Sequence, residues 1–274
     1  MPLISVIIAC LNDLKHLPRA VESVAKQDFA DWEIVIMDGA SQDGTQDYLR
    51  TLSDPRIVWR SEKDDGLTQA WNKAVALAQG QWLVFLGADD FIWDDCIFSK
   101  VSPYLRASDA ALAFGEVFIV AEHDDTIVRR MALEKPAFLK NLNGPNDMGI
   151  PHQGFFHARR AFTTGPFDTS FRLAADYEFV SRFSKETDFL ALPIGPVAAF
   201  RMGGLSTDPW SSLETYKEMT RIHRLRGHST LPDIWRIAKA RAKIVMRGWL
   251  GGNLTISIVN LSRRLRGFPA YSKR

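Results

Sequence analysis

Over the first hundred positions, short apolar runs alternate with stretches whose apolar residues recur at helical spacing. Residues 4–9, 33–37, 57–59 and 82–86 are rich in Ile, Val, Leu, Trp and Phe, are too short for helices, and predict buried strands. Between them, Leu17, Ala20, Val21 and Val24 predict a helix over 17–25, and a second follows over 45–52. Leu67, Trp71, Ala74 and Ala78 predict a third, closed by Gly80 as its C-cap. A β-α-β-α series of this kind predicts an α/β fold: a doubly wound, mostly parallel sheet with right-handed crossovers and helices on both faces.

Beyond Asp95 the alternation weakens. Residues 110–120 predict a strand and residues 174–184 a helix. Residues 189–200 are strand-like but interrupted by Pro193, Gly195 and Pro196. Residues 141–151 hold two Gly, two Pro and three Asn, the composition of a loop or lid. The last sixty residues predict one or two helices rich in Arg and Lys. No repeat or low-complexity segment is present. The expected organisation is a body over 1–220, with halves 1–100 and 101–220, and a basic helical extension over 221–274.

Chemistry concentrates where apolar runs end in acid. Asp89 and Asp90 close the run over 82–86, and Asp38 closes the run over 33–37. In open α/β sheets ligands bind outside the carboxyl ends of the strands. Two adjacent acids there are too costly to bury unpaired, and a divalent cation with a phosphate-bearing ligand is a common solution. Asp38 is read as a ligand acceptor, and Asp43 as a cap for the helix that follows. Asp64 or Asp65 can cap the helix that begins near Leu67, and Lys73 can balance a diphosphate. The segment Ala9-Cys10-Leu11-Asn12 contains no Gly-x-Gly-x-x-Gly and no Gly-rich phosphate cradle, which argues against dinucleotide, P-loop and nucleotidyltransferase chemistry.

The net charge of +2 conceals an asymmetry. Residues 221–274 carry thirteen Lys or Arg and one acid, Asp233, whereas residues 1–220 carry 21 bases and 31 acids. An acidic body with a basic end suggests an anionic surface as partner. In residues 235–266, Arg236, Lys239, Arg241, Lys243 and Arg247 interleave with Trp235, Ile237, Ile244, Val245, Met246 and Trp249, a composition suited to anionic lipid. No nucleic-acid reader motif accompanies the charge, so nucleic acid is not an expected partner. Two cysteines without ligand spacing, no basic leader at the opening residues and no membrane-length apolar stretch predict a cytoplasmic chain, peripheral at the inner face of the membrane.

Four segments, in order, resemble glycosyltransferase family 2. They are residues 4–12, the 62–73 element EKDDGLTQAWNK, the 82–90 strand WLVFLGADD, and Gly203-Gly204-Leu205-Ser206-Thr207. The resemblance spans roughly residues 3–210 and implies a GT-A-like fold with a small acceptor-side subregion and inverting transfer from a nucleotide-sugar, UDP-sugar favoured. The acceptor class it implies is lipid-linked or polysaccharide. Carried over by position, Ala9, Leu11, Asn12 and Asp38 line the nucleobase pocket, with Asp38 accepting from the base and Asp64 beside it. Asp89 faces the ribose or donor sugar, and Asp90 coordinates Mn²⁺ or Mg²⁺ on the diphosphate, whose charge Lys73 also neutralises. Asp176 is the base that deprotonates the acceptor hydroxyl, and His152 and Gln153 lie on the acceptor side. The chain departs from the family pattern at Gly87, where an acid or amide is usual, at Cys10 and Leu11, and at Ala74. Two rival readings are a sugar nucleotidyltransferase and a non-catalytic sugar-nucleotide-binding component.

Overall fold

The computed structural model describes residues 1–144, 146, 148–204 and 211–265. Leu205, Ser206, Thr207 and Arg266, and Pro145 and Asp147 of the predicted loop, lie outside the described residues. Four parallel strands form the first half of the sheet, β1 (Ile4–Cys10), β2 (Trp32–Asp38), β3 (Ile57–Ser61) and β4 (Trp82–Gly87), arranged β3-β2-β1-β4. Their side chains sort by alternation. Val6 and Ile8 enter one core layer with Leu17, Ala20, Val21 and Val24 of α1 (Leu17–Ala25). Ile7 enters the opposite layer with Ala70 and Ala74 of α3 (Leu67–Leu77). A strand buried on both faces requires a continuous apolar run, which is why β1, β2 and β4 were legible, while β3 at the sheet edge is only half-buried.

The second half is mixed. β8 (Phe155–Ala158) runs antiparallel between β4 and β6 (Leu112–Val120), β9 (Phe189–Arg201) runs parallel to β6, and β5 (Phe91–Ile92) pairs β9. β7 (Ile127–Met131) forms a hairpin edge on β6. β9 continues through the predicted interruption at Pro193–Pro196 by slipping register, Phe114 facing Ala191 and Glu116 facing Pro196.

Several expectations are corrected. The third helix ends at Leu77 with Ala78 extended, so Gly80 is not its C-cap. Gly80 instead donates its N–H to Ser5 Oγ (2.8 Å) and Glu33 Oε1 (3.0 Å), and a Cβ there would stand 2.7 Å from the Ser5 nitrogen. The helix predicted over 174–184 is the short α6 (Ala175–Val180). Part of the loop expected over 141–151 belongs to α5 (Lys135–Leu142). Among the described residues the basic end holds three helices, α7 (Ser212–Leu225), α8 (Leu231–Leu250) and α9 (Gly252–Arg264). The position 220/221 falls inside α7, and His223 of α7 and Arg226 just after it bond to α6.

Candidate active site

Register brings the candidate acids to one sheet edge. β1 pairs Cys10 with Asp38 on one side and Ala9 with Gly87 on the other, so the tips of β2 and β4 flank the tip of β1. At the β2 tip, Asp38 is 1% exposed. Its carboxylate accepts from Ser61 Oγ (2.5 Å), the Ser41 N–H (3.1 Å) and Ser41 Oγ, with Cys10 Sγ 3.8 Å away. A carboxylate offers about four acceptor positions, and local donors take them here. Asp38 therefore ties the tips of β2 and β3 to the loop after β2. Burial, followed by the neighbouring Asp38 charge, pushes the Cys10 thiol up and keeps it neutral.

The loops after β1 and β2 are latched together. The Asn12 N–H donates to Ser41 Oγ (2.7 Å), and the Gln42 N–H donates to Asn12 Oδ1 (2.8 Å). Asn12 and Ala40 hold left-handed backbone, φ 51° and 63°, which a non-glycine residue adopts only when its surroundings enforce it. Gly39 marks where the loops meet. A Cβ there would lie 3.1 Å from Asp64 Oδ2, 3.2 Å from Leu11 Cδ1 and 3.6 Å from the Cys10 carbonyl. Leu11 is 60% exposed and Asp64 is half-buried, accepting from the Gly66 N–H (2.9 Å). Where these loops meet, the residues left open to solvent are Leu11 and half-buried Asp64, with half-buried Ala9 at the strand tip.

At the β4 tip the missing side chain of Gly87 is informative. A Cβ on Gly87 would stand 2.5 Å from Asp90 Oδ2 and 2.8 Å from Asp89 Oδ1, so both carboxylates occupy the volume that the expected acid or amide would fill. Asp90 is 2% exposed. Its Oδ2 accepts from Gln153 Nε2 (2.6 Å) and the Gly87 N–H (3.1 Å), and its Oδ1 from the Arg201 N–H (2.8 Å). Burial, reinforced by the Asp89 charge, raises Asp90 to about 8. Burial also raises Asp89, and Asp13 adds to the rise while His16 and Arg201 oppose it. Arg201 Nε donates to the Asp89 carbonyl (3.1 Å), and a Cβ on Gly204 would meet Asp89 Oδ2 at 3.3 Å.

Among the described residues no group of three or more His, Cys, Asp or Glu gathers to hold a metal ion. The gathered set is the Asp89–Asp90 pair. Two hard oxygen donors, both disfavoured as charges by burial and mutual repulsion, fit a divalent cation that takes its remaining ligands from water and substrate phosphate.

Other expected residues sit differently. Lys73 Nζ lies 2.8 Å from Glu62 Oε1 and donates to the Lys63 carbonyl (3.1 Å), so its charge is engaged by the loop before α3. His152, expected on an acceptor face, is 6% exposed and lies among Trp71, Phe85, His157 and Phe167. Burial holds its pKa well below the usual histidine value and takes His157 down to about 3. Gln153, its neighbour, is the one bonded to the Asp90 carboxylate. Asp43 accepts from the Thr45 N–H (3.1 Å) and the Leu14 N–H (2.9 Å), but the N-cap of α2 (Thr45–Thr51) is Gly44, without a side-chain cap, which corrects Asp43 as the capping residue.

Asp176 is half-buried on α6, with Oδ1 accepting from the Tyr177 N–H (2.8 Å). Burial raises it to about 6, and the Glu218 charge adds to the rise. Glu218 of α7 accepts the N–H groups of Arg172, Leu173 and Ala174, each at 2.9 Å, immediately before the helix. The approach to α6 is also tied to α3. Thr68 Oγ1 donates to the Phe171 carbonyl (3.0 Å), and Asn72 bonds the Phe167 N–H and carbonyl, both at 2.9 Å. Sequence reasoning did not single out Arg201 or Glu218. Arg201 stands directly before the Met202-Gly203-Gly204 turn, which was the available signal, and Glu218 carries none. A separate cleft of about 330 Å³, lined by Phe114, Glu116, Leu133 and Leu192 among others, includes none of the candidate residues.

Residues 5–164 match the model of the family described as Glycosyl transferase family 2. The chain is 32% identical over 183 residues to a PGL/p-HBAD biosynthesis glycosyltransferase of Mycobacterium bovis, covering 65% of this chain and 68% of that protein. Among solved structures it resembles S. aureus TarS 1-349 in complex with UDP-GlcNAc, with TM-score 0.62 and 15% identity over 88% of this chain and 71% of that one. It also resembles the mannosyltransferase PcManGT from Pyrobaculum calidifontis in complex with GDP-Man and Mn²⁺, with TM-score 0.60 and 17% identity over 96% of this chain and 80% of that one. At such identities these likenesses establish the fold, a mixed α/β architecture of the GT-A type.

Proposed function

The chain belongs to glycosyl transferase family 2, and from that premise we propose that it moves a hexosyl group from a nucleoside-diphosphate sugar to a lipid-linked or polysaccharide acceptor, inverting the anomeric centre. UDP-sugar is the favoured donor, as in the UDP-GlcNAc complex of TarS, while PcManGT is a GDP-Man binder of similar fold. The observation that carries this reading is the Asp89–Asp90 pair gathered over Gly87 at the tip of β4. In it, Leu11, Asp64 and Ala9 receive the nucleobase, Asp38 and Asn12 hold their loops, and Asp89 faces the ribose or sugar. Asp90 would hold Mn²⁺ or Mg²⁺, whose charge offsets that of the departing diphosphate.

Asp176 takes the proton from the acceptor hydroxyl. The acceptor oxygen then forms its bond to the anomeric carbon while the bond to the diphosphate oxygen breaks and that oxygen keeps the electron pair. A base near 6 is ionised at neutral pH and still basic enough to accept a proton in flight. Gln153 and Arg201 hold Asp90 in place by direct hydrogen bonds. No described helix is long and apolar enough to cross a membrane. We assign the enzyme to a reducing cytoplasmic setting, where Cys10 and Cys96 stay unpaired thiols, working against an anionic membrane surface.

The test is release of nucleoside diphosphate from UDP-, GDP- and dTDP-sugars, with and without acceptor. Metal-dependent, acceptor-stimulated release is expected. Pyrophosphate formation from sugar phosphate and a nucleoside triphosphate would instead make the chain a nucleotidyltransferase, and binding without release a non-catalytic component.

A further inference from the structure

Twelve of the nineteen large apolar residues exposed among the described residues lie between Leu225 and Leu265. They are ordered. On α8, Leu231, Trp235, Ala238, Ala242, Val245 and Trp249 recur at steps of four and three, and all are exposed. The buried residues of that helix, Asp233 and Ala240, are on the opposite side, against the body. On α9, Leu254 (52% exposed), Ile258 (42%), Leu261 (62%) and Leu265 (81%) repeat the same steps, with buried Thr255, Ile256 and Asn260 behind them. A surface helix normally turns one apolar stripe inward and presents polar residues to water. Here both helices carry a second apolar stripe facing out.

The charge beside the stripes selects the occupant. Lys239, Arg241 and Arg264 are exposed around them, and after Asp233 the chain contains no acid at all. Asp233 is buried, bonded to His223 and Arg236, and offers nothing to the surface. A second copy laid on these stripes would bring like charges together without compensation. An anionic bilayer satisfies both features, taking the apolar stripe into the headgroup boundary and the cations against its phosphates. Trp235 and Trp249, near the two ends of the α8 stripe, have the amphipathic rings favoured at that depth.

The same helix is anchored beside the candidate base. Asp233 Oδ2 in the first turn of α8 lies 2.6 Å from His223 Nδ1, and His223 Nε2 lies 3.0 Å from the hydroxyl of Tyr177, the residue after Asp176. We propose that the outward faces of α8 and α9 seat this protein on an anionic lipid surface and thereby present the Asp176 side to an acceptor carried in that surface. The docking half stands on the helix faces alone, whereas the acceptor half rests on the glycosyltransferase reading above.

The experiment is flotation of the full chain with phosphatidylcholine vesicles, with and without phosphatidylglycerol, for the wild type and for Trp235→Ala/Trp249→Ala and Lys239→Glu/Arg241→Glu. Expected is flotation with the phosphatidylglycerol vesicles, weakened by salt and reduced about tenfold or more in each double variant. Thermal melting and metal-dependent donor binding in the same variants should stay as in the wild type. Equal flotation of wild type and variants, or none of the wild type, overturns the docking surface. So does a wild-type dimer in solution that the tryptophan variant dissolves, since a second copy then covers the face. Flotation uses no donor, so its failure with donor binding intact removes this proposal alone. Flotation retained with no donor bound removes the glycosyltransferase reading and, with it, the acceptor half.

Discussion

Gly87 shows how a departure at one residue is absorbed by its neighbours. Where the family usually has an acid or amide, this chain has no side chain, and the oxygens of Asp89 and Asp90 move into the vacant volume. Gly87→Ala is then expected to push the pair apart and weaken divalent-metal affinity about tenfold or more, measured by calorimetric titration, although it alters no charge. Asp176 gives a second prediction. Its folded value of about 6 lies above the ordinary aspartate value of 3.8, so the folded chain keeps a proton that the unfolded chain releases between those values. Its ionised form therefore lowers stability above pH 6, and that penalty fades as pH falls towards 4. Activity moves the opposite way, because the base must be ionised. Asp176→Asn should melt higher than the wild type at pH 8 and lose that advantage near pH 4, while transfer drops about 100-fold or more. A variant that melts lower at both pH values and retains transfer would remove Asp176 as base. The strand-end acids were legible because charge after an apolar run has few structural uses. The donors that Asp38 meets were not, because Ser61, one of them, stands 23 residues away.

At the scale of elements, α6 illustrates a helix held from outside. It has six residues and no side-chain cap, and Glu218 of α7 accepts the three N–H groups that precede it. Glu218→Ala should leave those donors unsatisfied, cost about 1–3 kcal/mol in chemical unfolding, and lower kcat about tenfold with donor KM unchanged. A change confined to donor KM would show that α7 does not position the acceptor side. The parallel strands β1, β2 and β4 were readable because burial on both faces demands apolar runs. The length of α6, the true use of Gly80 and the number of basic helices were not, because each depends on partners distant in sequence. Gly80 is glycine for the Ser5 backbone that approaches it, and α6 is short because α7 provides what helix propensity does not.

Across the whole molecule, one ordered sheet joins the two chemistries. β1 lies between β2 and β4, so the loop contact around Gly39, proposed to receive the nucleobase, and the acid pair over Gly87 stand at adjacent strand tips. α3 links that edge to the segment carrying Asp176 through Thr68 and Asn72. Four motifs in order made the family legible from sequence, and the family match over residues 5–164 agrees. The second half of the sheet, with its mixed directions and slipped β9, carries no comparable pattern. The central claim is that the Asp89–Asp90 pair binds a donor diphosphate through a divalent cation. The most direct measurement is calorimetric titration of UDP-, GDP- and dTDP-sugars into the wild type and Asp90→Asn, each with Mn²⁺ and with chelator. The account predicts that one donor class binds the wild type only with Mn²⁺ and that Asp90→Asn loses about 100-fold or more in affinity. Equal binding by the two proteins, or binding indifferent to chelator, would contradict it.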